Sequence, residues 1–129
     1  MSDKWIETHL AEILKYQQQL NEIPSESKVK RIEILSKQLV FIGKLAATFS
    51  EQYKRIYATR KRVYAETEIN STAPKKAKAE LAVADLRVEE ATAYGNMKRW
   101  GNAFISTQEE INAIKYQVRI DIEDGSSRG

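Results

Sequence analysis

Residues 26–70 read ESKVKRIEILSKQLVFIGKLAATFSEQYKRIYATRKRVYAETEIN, and this stretch decides the fold. No proline interrupts it, and Gly43 is its one glycine. Ile32, Leu35, Leu39, Ile42, Ala46, Phe49, Tyr53, Ile56, Arg60, Val63 and Thr67 follow one another in alternating steps of three and four. Only Arg60 and Thr67 in that series are neither apolar nor aromatic. This is the seam of a helix that lies against another helix along its whole length. At 1.5 Å per residue the helix would be about 65 Å long.

Punctuation on either side supplies the neighbours. Ile23-Pro24-Ser25-Glu26-Ser27 and Asn70-Ser71-Thr72-Ala73-Pro74 each combine capping side chains with a proline suited to a first helical turn. A first helix is predicted over about 3–22, the second over about 26–70 and a third over about 74–122. Asp124-Gly125 is the next strong stop, and 124–129 read as a disordered tail. In the third helix the seam is expected at Ala77, Leu81, Ala84, Val88 and Ala91. It resumes at Met97, Trp100, Phe104, Thr107, Ile111, Ile114 and Val118. The step from Ala91 to Met97 breaks the repeat, which predicts a kink or local overwinding beside Gly95.

A second stripe on the long helix separates two regions. It carries Glu33, Ile34, Val40, Phe41, Ala47 and Thr48 first, largely apolar, then Lys54, Arg55, Lys61 and Arg62. The first helix, with Ile6, Leu10, Ile13, Leu14 and Leu20, is the expected partner of the apolar part. The expected architecture is all-α: a short N-terminal helix packed on a long antiparallel coiled-coil hairpin. Residues 1–123 form a single helical domain, with a bundle of about 3–49 and 97–122 and a hairpin arm of about 50–96. The returning part of the arm is rich in alanine and buries little area per residue, so it is expected to oligomerise or to find a partner.

Composition removes most chemistry. The 129 residues include no cysteine, one histidine, five glycines and two prolines. Disulfides, thiolate catalysis and cysteine-based zinc sites are therefore excluded, and a turn-rich β fold is disfavoured. His9 has Glu12 one turn away but no second ligand or nucleophile arranged around it, so it reads as a boundary histidine. Glu89-Glu90 and Glu109-Glu110 point about 100° apart on a helix and read as solvated surface. Phosphate-binding glycine loops, nucleophile elbows and zinc-protease motifs are absent. The chain is expected to be non-enzymatic and to need no cofactor or metal. No apolar run approaches a membrane span, and the opening Met1-Ser2-Asp3-Lys4 suits a cytoplasmic protein.

Charge carries the one positive functional signal. Lys and Arg number 21 against 18 Asp and Glu. Lys54, Arg55, Arg60, Lys61 and Arg62 crowd one stretch, and Lys75, Lys76 and Lys78 follow the turn. Tyr53, Tyr57, Tyr64 and Tyr94 are interleaved with them and suit base stacking as well as packing. These eight cations are the candidate nucleic-acid-binding residues. The competing reading is an ordinary charged outer helix face, because Glu66, Glu68, Glu80, Asp85, Glu89 and Glu90 lie on the same arm. In Lys98-Arg99-Trp100 the tryptophan falls on the seam and the two cations flank it.

The run Tyr94-Gly95-Asn96-Met97-Lys98-Arg99-Trp100-Gly101-Asn102-Ala103-Phe104, with Ser106-Thr107-Gln108-Glu109 and Ile111-Asn112 after it, carries a resemblance. Together with Tyr57-Ala58-Thr59-Arg60-Lys61-Arg62 and the stretch 77–93, it resembles small helical proteins of phages and prophages of Gram-positive bacteria. Such proteins are often encoded near recombination or replication genes. The resemblance implies a non-enzymatic protein, cytoplasmic in the bacterial host cell, that assists DNA metabolism. The alternatives are a coiled-coil module that engages or inhibits a host or phage protein, such as a defence or replication factor, and a structural or assembly protein.

Overall fold

The computed structural model describes residues 3–128, with side chains through residue 125. The protein is all-α, with four helices among the described residues: α1 (Asp3–Glu22), α2 (Lys28–Asn70), α3 (Lys75–Ala82) and α4 (Ala84–Arg128). The long helices α2 and α4 pack antiparallel. The chain divides into two compact units, Met1–Leu45 with Trp100–Gly129, and Ala46–Arg99.

In the first unit, α1 stops where Pro24 forbids a further helical turn. Arg31 donates to the carbonyls of Leu20 and Ile23, at 3.0 and 3.2 Å, and so satisfies acceptors that the end of α1 leaves open. Ser27 takes the N-cap position of α2, since its carbonyl accepts the Arg31 N–H. Leu20, Ile34, Leu35 and Ile111 form the buried centre, and Tyr16, Ile23, Ile32, Leu39 and Ile114 pack against it. Buried Gln38 donates to the Ile13 carbonyl and to Gln17, which ties α2 to α1 through polar contacts. The stripe beside the main seam runs through Ile34, Gln38, Phe41, Leu45 and Thr48, all buried or half-buried. Val40 and Leu14, expected to be covered, are exposed instead. Gly43 lets Phe104 approach closely: an added Cβ would lie 3.1 Å from its Cε2, so the ring would have to shift by a few tenths of an ångström.

The expected third helix differs in three ways. Val83 interrupts it, separating α3 from α4. The interruption is local: Val83 N–H still donates to Ala79, and Arg87 N–H to Val83. Second, α4 is continuous through Tyr94-Gly95-Asn96, and the phase slip from which a kink or overwinding was expected is absent from its buried face. Third, α4 passes Asp124-Gly125 and reaches Arg128, into the stretch expected to be disordered, while Gly129 lies outside the described residues. A glycine ends a helix by adopting a positive φ, and no described glycine has one.

The buried face explains the second difference. Ala79, Val83, Leu86, Glu90, Ala93, Met97, Trp100, Phe104, Thr107, Ile111, Ile114 and Val118 are all buried or half-buried. They alternate in steps of four and three without a slip. Ala77, Leu81, Ala84, Val88 and Ala91, expected on the seam, are exposed. The expected register went wrong at Glu90, a carboxylate occupying a seam position. An apolar reading avoids it and lands on the opposite face of the helix.

Candidate nucleic-acid interface

The eight predicted cations all belong to the unit Ala46–Arg99, and they divide seven to one. Lys54, Arg55, Lys61 and Arg62 stand exposed on α2; Lys75, Lys76 and Lys78 stand exposed at the start of α3. Arg60 is withdrawn. Its Nε donates to both carboxylate oxygens of Glu90 at 2.6 and 2.8 Å, and the two side chains are 15% and 14% exposed. That hydrogen bond holds the Arg60 guanidinium above its ordinary pKa, so it stays cationic. Arg60 and Glu90 are the two charged members of the facing seams, and each supplies the partner the other needs away from water.

The exposed cations have weaker ties. Arg55 pairs with Glu51, and Arg62 with Glu66 at 3.5 Å, each one helical turn away. Exposed pairs of this kind contribute only about 0.3–0.5 kcal/mol and yield readily to a competing anion. Lys61 lies over the Tyr57 ring at 5.0 Å. Lys54, Lys75 and Lys76 have no hydrogen bond or ion pair among the described residues, and Lys78 donates to Thr72 at 3.0 Å. Lys75 and Lys76 sit in the first turn of α3, which has no side-chain cap and no acidic residue. Positive side chains at the positive end of a helix repel it, and an anion relieves both.

Lys61 shares a shallow recess with Arg60, Tyr64, Glu80 and Arg87, so carboxylate lies beside the α2 cluster. Three of the four tyrosines, Tyr53, Tyr57 and Tyr94, form a ring cluster. Tyr53 meets Tyr94 edge-on at 5.4 Å and Tyr57 at 6.2 Å, while Lys98 lies over Tyr94 at 5.7 Å. Tyr57 and Tyr94 remain open enough to offer an edge to a ligand.

His9 belongs to the other unit and is occupied structurally. Its ring stacks on Trp5 at 3.8 Å, and its edge meets Phe41. Nδ1–H donates to the Trp5 carbonyl at 2.8 Å, which fixes the tautomer. Glu12 pairs with Lys15 instead, and this hydrogen bond raises the lysine pKa. Among the described residues no cluster of three or more His, Asp or Glu is placed to hold a metal. No helix among them is long and apolar enough to cross a membrane.

Compared with known protein families, with curated proteins and with solved structures, the chain matches none.

Proposed function

We propose that the protein is a non-enzymatic, phage-encoded helical accessory of DNA metabolism that contacts nucleic-acid phosphates through the unit Ala46–Arg99. The observation that supports this reading is the exposure of seven of the eight clustered cations, on a unit with eleven Lys and Arg against seven Asp and Glu. Lys54, Arg55, Lys61 and Arg62 repeat at seven-residue spacing, about 10.5 Å along one helix. Such an array neutralises phosphates without reading bases, so binding is expected to be indifferent to sequence.

The test is a salt titration of affinity for single- and double-stranded DNA. Replacing Arg55, Lys61 and Arg62 together by glutamine removes three cations while avoiding the like-charge contacts that glutamate would make with Glu51 and Glu66. Affinity at ~50 mM salt should fall at least roughly tenfold, and the salt slope should drop by up to about 0.9 per lost duplex contact. Arg60→Gln should leave the slope unchanged, because Glu90 already holds that charge. A parent protein with no affinity for either form at ~50 mM salt sinks the proposal and transfers the function to a protein partner.

A further inference from the structure

The first stretch of the seam expected on the third helix, Ala77 to Ala91, faces solvent. Leu81 is 80% exposed and Val88 68%, and Ala77, Ala84 and Ala91 complete an apolar row between them. The row follows the alternating four-three repeat of a helix–helix seam while a separate face of the same segment, through Ala79, Val83 and Ala93, is buried. The segment therefore carries two helix-packing faces, and its own chain covers one.

The charges beside the open face identify what covers it. Glu80 and Arg87 lie along one edge; Lys78 and Asp85 lie along the other. If two such helices run antiparallel with Leu81 over the partner's Ala84 and Val88 over the partner's Ala77, Glu80 faces the partner's Arg87 and Lys78 faces the partner's Asp85. Two-fold symmetry doubles each pair. Sliding the partner by one heptad in either direction sets like charges together: Arg87 with the partner's Arg87, or Glu80 with the partner's Glu80. A parallel arrangement sets Glu80 against the partner's Asp85. One orientation and one register are thus favoured, and a second copy of the same sequence supplies that match. Within one chain Arg87 already bonds Glu80 through Nε and a terminal nitrogen at 3.2 Å each. In the dimer this pair meets its own reverse, forming an alternating four-charge cluster.

We propose that two copies of this chain associate antiparallel through the exposed face of α3 and the first turns of α4, with the two-fold axis passing between Ala82 and Val83. The inference does not depend on nucleic-acid binding. The face has only two large side chains and falls at the small end of protein interfaces, so the dimer is weak and forms in the range of about 10–100 µM.

Sedimentation equilibrium of the full chain tests it, with circular dichroism as the control for folding. The parent should pass from monomer to dimer across that range. Leu81→Glu with Val88→Glu should abolish association without loss of helix, since both side chains are exposed in the single chain. Glu80→Arg alone and Arg87→Glu alone each turn two attractions into repulsions and should weaken association roughly tenfold or more. The two single variants mixed, and the double swap Glu80→Arg with Arg87→Glu, should associate again. A parent that stays monomeric to about 200 µM overturns the proposal. So does a dimer that neither the glutamate variant nor the charge variants weaken.

Discussion

The two units are built from the same long helices, yet they are held together differently. In Met1–Leu45 with Trp100–Gly129 the buried hydrophobics are Leu20, Ile34, Leu35, Ile42, Leu45 and Ile111. In Ala46–Arg99 they are Phe49, Ala79, Val83 and Ala93, with the Arg60–Glu90 pair set between them on the seam. Large branched aliphatics remove much apolar area from water, whereas alanines remove little. Charge follows the opposite order. The first unit has ten Lys and Arg against eleven Asp and Glu, the second eleven against seven. The units differ in the size of their buried side chains and in the sign of their charge. Within one pair of helices, the large aliphatic core lies in the first unit and the clustered exposed cations in the second.

The largest expected effect breaks or supports the first half of that contrast. Leu35→Ala removes a side chain at the centre of the aliphatic cluster and should destabilise the protein by about 2–5 kcal/mol in denaturant titration. Val83→Ala, at a position equally closed to solvent, removes less and should cost about 1–2 kcal/mol. Equal losses would mean that the units are equally well packed. Amide hydrogen exchange should agree, with the slowest amides of α2 before Leu45 and faster ones beyond it.

The half-buried Arg60–Glu90 pair gives a smaller and more discriminating effect. Glu90→Leu leaves the Arg60 charge without its carboxylate and should lower the melting temperature by several degrees. Replacing both Arg60 and Glu90 by leucine continues the two seams and should give a protein that melts no lower than the parent. A double variant less stable than the single one would show that the pair itself holds the second unit together.

The smallest effect belongs to Gly43. Alanine there gains up to about 1 kcal/mol of helix propensity but displaces the Phe104 ring by a few tenths of an ångström. The two should nearly cancel, leaving stability within about 1 kcal/mol of the parent in the same titration. A larger loss would mark the Gly43–Phe104 contact as one that cannot relax, and would sharpen the picture of a tightly fitted first unit.

The sequence by itself determined that the chain is helical, where α1 and α2 begin and end to within about two residues, and which face of α2 is buried. Those features are local: proline and capping residues act over a turn, and α2 offers one apolar row from Ile32 to Val63 that Arg60 alone interrupts. It also identified the clustered cations, since charge density is a property of composition. Tertiary structure decided which of two rows on the returning helix faces inward. Ala77, Leu81, Ala84, Val88 and Ala91 are the more apolar row, and pattern alone selects them. The row that is buried contains Glu90, which is tolerable there only because Arg60 arrives opposite it from a position thirty residues earlier. That pairing removed Arg60 from the basic surface and left Leu81 and Val88 exposed. A carboxylate's place in a seam depends on what stands across from it, and no periodicity within one helix contains that information.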